Sequence, residues 1–416
     1  MKRSLITLIS IFLILIWGYS GNSNKKSNMP TQEFEQGTFG YDYKFLQEYQ
    51  KDLVLLKDSV SEGMIIISPA YQGRVMTSSV NGMEGNSNGW INFDLIKSGK
   101  KAEHINAFGG EERIWLGPEG GQFSIYFSPG ATQEFKNWQV PAILDTLPFN
   151  LDSSSATKAS LSADINLKNY SGTQFNAKIE RQVELLKSTA IEKLLAQNID
   201  DSLNVVAYQS QNTIINKGKN AWTSKSGMLS IWMLSMLTPS PEVVIFIPFK
   251  EGDEKNMGKV VSDDYFGKVP ADRLKVKKDI IYLKADGRYR SKIGISPKRV
   301  TNWAASYDAS RNALTLLYSN FPKDRNDYVN SKWEIQKEPF SGDAINAYND
   351  GTVEDGSQMG PFYELESSSP AANLKPGEKL NHTQTIIHIE GPEDKLNIIV
   401  QKLFSISVND IKNAFN

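Results

Sequence analysis

Between residues 174 and 185 the chain reads QFNAKIERQVEL, and its alternation leaves little conformational freedom. Phe175, Ala177, Ile179, Val183 and Leu185 fall on every second position, with Asn176, Lys178, Glu180, Gln182 and Glu184 between them. Successive side chains of a strand point to opposite faces, whereas a helix would scatter these apolar residues around its circumference. The stretch is therefore a long strand with one buried face. Arg181 interrupts the apolar series on that buried face. A buried guanidinium needs a carboxylate or several carbonyls, so Arg181 is expected in an internal ion pair that holds the sheets, with ligand contact as the alternative.

Similar period-two or short buried-type runs recur at 64–68, 123–127, 243–249, 314–318, 362–366 and 383–390, separated by polar turn clusters such as NYSGTQ, EGDEKN and GPEDK. Helical spacing is clear only near 43–57, where Phe45, Leu46, Tyr49, Leu53 and Leu56 recur between charged residues. Many strands with one or two peripheral helices imply an all-β fold, a large antiparallel β-sandwich. Of the 416 residues, 40% are hydrophobic and 22% charged, enough for a sizeable core. No internal repeat or interdomain linker breaks 41–416, which reads as a single domain.

Forty-six basic residues against 47 acidic ones give a net charge of −1. Nucleic acid is not an expected partner, because that balance offers no basic face. The N-terminus is distinct: Met1, Lys2 and Arg3 precede an apolar run over 5–17, which is short for a membrane span but suits a secretory signal over 1–20. Residues 21–40 read as a polar tether, and Tyr19 stands where a bacterial lipoprotein box would carry its modified cysteine. The expectation is export to the periplasm, cell surface or exterior, without stable membrane insertion after cleavage. The absence of cysteine excludes disulfides, thiolate metal sites and thiol nucleophiles.

Two stretches concentrate candidate chemistry. In FYELESS, Glu364 and Glu366 share one face of a strand while Tyr363 and Leu365 share the other. Neighbouring carboxylates repel, raising one proton affinity, and such a pair supplies an acid and a base for sugar chemistry; the bland reading is a solvated sheet face. In the next strand His382, Gln384, Ile386 and His388 share a face. The second stretch, HINAFGGEERIWLGPEGGQFSIYF, offers His104, Glu112, Arg113, Trp115 and Glu119 among glycines. His104 alone reads first as a structural histidine, and Trp115 as either core or a ring for the apolar face of a sugar. GPEGGQ lacks the Gly-Lys-Ser/Thr ending of a phosphate loop. The polar knots around Asp263, Asp264 and Arg273 and around Asn346, Asn349 and Asp350 read as loops. Calcium is the minority reading for them, no EF-hand or zinc spacing occurs, and no cofactor is expected.

These residues resemble a known superfamily. GGEERIWLGPEGGQFSIYF resembles the substrate-side strands of the galactose-mutarotase-like β-sandwiches, which include the aldose epimerases. IERQVELL, QNTIINKG and GMLSIWML resemble its central strands, and FYELESSSPAANLKPGEKLNHTQT its closing segment. More narrowly, 40–416 is similar to a function-unassigned bacterial family of exported mutarotase-like proteins. The resemblance implies a concave sheet that binds a sugar or oligosaccharide, with Glu364 or Glu366 as the late base and His382 as a counterpart. It implies Glu112 or Glu119 as further acid–base candidates and His104, Arg113, Trp115, Arg181 and Gln384 as ligand contacts. The superfamily's central histidine has no equivalent here, since Leu234 stands near that place after Trp232. Epimerase, hydrolase or lyase chemistry is therefore set beside a non-catalytic glycan-binding module, acting with polysaccharide-processing partners, or an envelope scaffold.

Overall fold

The structure, a computed structural model, describes residues 33–58, 61–353 and 355–416. The expected signal and most of the tether lie outside them. Within the described residues, antiparallel pairing organises three sheets.

A three-stranded sheet contains β1 (Val54–Lys57), β2 (Met64–Ser68) and β3 (Arg74–Ser79). A five-stranded sheet uses β4 (Arg113–Gly117), β9 (Ser230–Leu237), β13 (Ser291–Ile295), β16 (Ile345–Asn349) and β17 (Tyr363–Ser368), in the order β13-β16-β17-β9-β4. The ten-stranded sheet takes β5 (Asn150–Ser154), β6 (Lys158–Lys168), β7 (Gln174–Leu185), β8 (Asn204–Asn216) and β10 (Val243–Pro248). Its other members are β11 (Leu274–Lys277), β12 (Ile280–Lys284), β14 (Trp303–Asp308), β15 (Ala313–Ser319) and β18 (Lys379–Glu390). The order is β11-β12-β10-β14-β15-β18-β8-β7-β6-β5. Residues Phe34–Asn416 make one compact unit.

Strand parity builds the layers. From the ten-stranded sheet, Ile179, Tyr208, Ile245, Ile281 and Ile386 enter one core with Ile114, Met233, Ile293 and Leu365 of the five-stranded sheet. The alternate residues Ala207, Phe246, Tyr282, Ile387 and Ile389 enter a second core beneath the helices Ser188–Leu195, Glu393–Phe404 and Val408–Lys412. Each fully buried isoleucine contributes about 1.5–3 kcal/mol, so a one-residue register slip in β18 would exchange both cores at once. The expected antiparallel sandwich with peripheral helices is what the chain forms.

Local expectations were corrected at three places. The helix near 43–57 is Phe39–Tyr49, capped by Thr38, and Leu53 and Leu56 belong to the following extended segment, where Leu56 pairs in β1 with Ile65. The run 123–127 is not a strand; only Phe127 makes an isolated bridge, to Trp138, because its aromatic rings turn into a loop core instead of a ladder. Asn346 and Asn349, read as loop residues, lie in β16.

Candidate functional site

The five-stranded sheet has one face against the ten-stranded sheet and another beneath a set of loops. A row of paired positions crosses it: Arg113 opposite Leu234, Leu234 opposite Glu366, and Glu366 opposite Asn346. Parity sends Arg113, Trp115, Trp232, Glu364 and Glu366 to the loop-covered face, and Ile114, Ser235, Leu365 and Ser367 to the inter-sheet core. On the loop side Arg113 donates to Glu364 at 3.0 Å, and its guanidinium lies 4.3 Å from the Trp115 ring centre. Trp115 is core, its indole N–H donating to Leu144 O at 3.1 Å.

Above this face lies a cavity of about 1200 Å³. Trp232, Lys292 and Asn346 reach it from the strands; Glu119, Tyr265, Trp333 and Asp343 reach it from loops. Phe135, Phe266, Tyr289 and Met359 also line it and are 38–58% exposed, which places apolar surface at its mouth. Two glycines admit the loop residues. A Cβ on Gly294 would stand 2.0 Å from an Asp343 carboxylate oxygen, and one on Gly120 would stand 2.2 Å from Lys332 O.

Lys292 is the hub. Its ammonium donates to both oxygens of Glu366 at 3.0 Å, lies 4.7 Å from the Trp232 ring centre, and is 5.8 Å from that of Tyr265. Glu366, fully buried, also accepts from the Trp232 indole at 2.8 Å. Its carboxylate thus fixes Lys292 and Trp232 from below and does not itself line the cavity. Asp343 accepts from the Tyr265 hydroxyl at 2.6 Å, and Asn346 donates to that hydroxyl at 3.3 Å.

The proton affinities differ from ordinary values for physical reasons. Burial raises Glu119 from 4.5 to about 7, with the Glu366 charge adding to the rise while Lys292, Trp333 and Arg290 oppose it. Burial also raises Asp343, against the hydrogen bonds from Tyr265 and Ser262. Glu364 rises from 4.5 to about 7 through burial, opposed by Arg113 and reinforced by Glu366. The repulsion expected between the two neighbouring glutamates is therefore present, behind burial and the opposing pull of Arg113.

The remaining candidates lie on the other side of the sheet. Glu112 accepts from Arg181 at 2.7 Å, from Gln384 at 2.8 Å and from Ser210 at 3.1 Å. Arg181 also donates to Asn212 at 2.7 Å and to Gly73 O at 2.9 Å. Ser367 donates to the Gln384 carbonyl at 2.7 Å and lies 2.7 Å from His382 Nε2. His382 is buried, and that burial pushes it down from 6.5 to about 4. Nearby, His388 Nε2 lies 2.8 Å from Glu111. This network is enclosed between the two sheets, so Glu112, Arg181, His382 and Gln384 do not meet the cavity. His104 is apart from both, its Nδ1 2.7 Å from Trp138 O and its ring against Phe135. Of the sequence candidates, only Glu119 lines the cavity itself; Arg113, Trp115, Glu364 and Glu366 lie in its supporting layer.

The sequence reading singled out neither Lys292 nor Arg290, Tyr265, Trp333 or Asp343. It did mark two polar knots, and Asp264, Asn346 and Asp350 from them line the cavity. Their density of polar residues around buried aromatics was the usable signal. Among the described residues no group of three or more His, Asp or Glu side chains is placed to hold a metal ion, and no helix is long and apolar enough to cross a membrane.

No curated protein matches the chain. Several solved structures are similar at low identity. A putative aldose 1-epimerase from Escherichia coli K12 is 10% identical over 82% of this chain and 100% of its own, with a TM-score of 0.48. A galactose mutarotase-like protein from Lactobacillus casei is 8% identical over 81% and 100%, with a TM-score of 0.45. A putative mutarotase from Salmonella typhimurium is 12% identical over 82% and 91%, with a TM-score of 0.40. A family model matches residues 37–415, and by that match the chain belongs to DUF6786, a family of unknown function.

Proposed function

We propose that the protein binds a saccharide in the cavity over the five-stranded sheet and that Glu119 exchanges a proton with it. The observation that carries this reading is a cavity-lining carboxyl with a proton affinity near 7, set beside a half-buried lysine and two indoles. Sugars present hydroxyls at their edges and C–H groups on their faces. Carboxylates, amides and phenols suit the first, and Trp232, Trp333 and the rings at the mouth suit the second. The volume exceeds the roughly 300–1,000 Å³ of an ordinary small-molecule pocket, which favours an oligosaccharide. Near neutral pH a group like Glu119 populates both protonation states, as acid–base catalysis requires. Lys292 stabilises developing negative charge, and Glu366 positions it. The N-terminal apolar run supports an exported protein meeting this saccharide outside the cytoplasm.

A second reading is a non-catalytic glycan-binding module serving polysaccharide-processing partners. It is favoured by Glu364 and Glu366 being tied to Arg113 and Lys292, and by Leu234 occupying the strand row between Arg113 and Glu366. One experiment separates the two. A thermal-shift screen of residues 21–416 against mono- and oligosaccharides identifies ligands, since a ligand of the folded state raises the melting temperature. Nuclear magnetic resonance then follows each ligand for epimerisation or cleavage with wild type and Glu119→Gln. Catalysis by Glu119 requires turnover that falls roughly 10²–10⁴-fold in the variant; binding without turnover selects the module. A screen with no saccharide ligand sinks both.

A further inference from the structure

Among the described residues three cations line the cavity, and they are not equivalent. Lys292 is committed to Glu366 at 3.0 Å and Lys332 to Asp264 at 2.8 Å. Arg290 has neither a carboxylate partner nor a side-chain hydrogen bond among the described residues, and its Nε is buried without an acceptor. Arg74, Arg113 and Arg273 share that orphan Nε, but the terminal nitrogens of the buried arginines end on acceptors: Arg74 on Gly109 O, Arg113 on Glu364, Arg181 on Glu112, Arg273 on Asp286 and Arg299 on main-chain carbonyls.

The Arg290 side chain is held in place. Its guanidinium carbon lies 3.8 Å from the Phe266 ring centre, so one face is covered by the ring and the edge formed by its two terminal nitrogens is what it offers a ligand. The preceding loop is anchored at both sides: Gly287 N donates to Asn349 Oδ1 at 2.8 Å, and Asn349 Nδ2 donates to Tyr289 O at 2.8 Å. Arg273 grips Asp286 at 2.6 and 3.0 Å. Three acids of the cavity wall, Asp264, Asp343 and Asp350, are occupied elsewhere, while Glu119 and Glu334 make no ion pair among the described residues. Asp264 takes Lys332, Asp343 takes the Tyr265 hydroxyl at 2.6 Å, and Asp350 takes the Tyr348 hydroxyl at 2.6 Å and Gly360 N at 3.1 Å.

We infer that the bound saccharide is acidic, a uronate-containing sugar whose planar carboxylate is received by the free edge of Arg290. This rests on the saccharide reading and names the class of ligand within it. A guanidinium edge presents two parallel donors that match the two oxygens of a carboxylate, and stacking on Phe266 preorganises it for that geometry. Neutral sugars carry no anion to pair with that charge.

The test compares D-galacturonate, D-glucuronate and oligogalacturonates with D-galactose, D-glucose and neutral oligosaccharides, by thermal shift and calorimetric titration on wild type, Arg290→Gln and Arg290→Lys. Sugar 6-phosphates and 6-sulfates form a further arm. The expected result is a preference for uronates of roughly ten- to hundredfold, the effect of one hydrogen-bonded charge pair. That preference should collapse toward one in Arg290→Gln and survive in part in Arg290→Lys, with unliganded melting temperatures verifying the fold. Equal affinity for neutral and acidic sugars in wild type overturns the inference while leaving saccharide binding intact. A preference that persists in Arg290→Gln also overturns it. Phosphate or sulfate esters binding as tightly as uronates overturn the planar-carboxylate form. Silence from every sugar overturns the saccharide reading, and this inference with it.

Discussion

The two faces of the five-stranded sheet carry polar clusters of similar composition and opposite character. Toward the ten-stranded sheet, Glu112, Arg181, Ser210, Asn212, Ser367 and Gln384 hydrogen-bond one another with no exposure to solvent. Toward the loops, Lys292 and Glu366 form an equally well-made pair, but the groups above them are open: Glu119 is half-buried with a raised proton affinity, and Arg290 has no carboxylate partner among the described residues. Burial and charge are common to both sides. What separates them is enclosure: a network sealed between two sheets specifies how they dock, whereas groups around a cavity are placed to meet a partner.

The largest expected effect breaks the closed side. Arg181→Met leaves the Glu112 carboxylate buried without its cation, and Asn212 and Gly73 O without their donor. Removing one member of a buried pair costs about 3–5 kcal/mol, which urea unfolding would register as a lower midpoint at unchanged slope. A loss under about 1 kcal/mol would mean that the inter-sheet network does not hold the sandwich together.

Opposite pH dependences sharpen the comparison further. Glu119 binds its proton more tightly in the folded chain, at about 7 against an ordinary 4.5. Between those values the unfolded chain has released a proton that the folded chain keeps, so stability is lost as pH rises through that window. His382 is the reverse: lowered from 6.5 to about 4, it stays neutral in the folded chain while the unfolded chain takes up a proton, so stability is lost as pH falls from 6.5 toward 4. Each contributes at most about 3 kcal/mol at 1.36 kcal/mol per unit, and about 1–2 kcal/mol is expected after local relaxation. Relative to wild type, Glu119→Gln should gain stability between pH 5 and 7.5, and His382→Gln should gain it between pH 6.5 and 4.5. Parallel pH curves for wild type and either variant would remove that residue from the comparison.

Much of the fold was legible because the strands alternate. QFNAKIERQVEL is β7 nearly residue for residue, and the misfit of Arg181 did announce an internal ion pair. Parity also grouped Glu364 with Glu366 and His382 with Gln384, both correctly. It could not say which group faces a cavity, because in a strand buried on both sides polar residues on either face look alike. Only the packing of one sheet on the other distinguishes them. The cavity wall was the harder part. Tyr265, Trp333 and Asp343 come from loops far apart in sequence, and Lys292 sits in a five-residue strand whose apolar alternation, Ile293 and Ile295, is too short to mark it. Convergence of that kind leaves no local pattern, beyond the polar knots that held Asp264, Asn346 and Asp350.

The smallest stability effect belongs to the cavity mouth, and there the comparison is tested most cleanly. Phe266 is 44% exposed and contributes little burial, so Phe266→Ala should change folding stability by less than about 1 kcal/mol. Its ring nevertheless covers one face of the Arg290 guanidinium and makes an edge contact with Tyr348 at 6.0 Å. Without it Arg290 keeps its charge and loses its orientation. Acidic-sugar affinity should therefore fall by roughly two- to fivefold, in line with the loss of an exposed cation–π contact of about 0.5–1 kcal/mol, while neutral-sugar affinity falls less. Equal losses for both sugar classes would identify Phe266 as a general apolar platform. A loss of stability matching Arg181→Met would show instead that the open side of the sheet is held together as tightly as the closed one, and the distinction between the two faces would no longer stand.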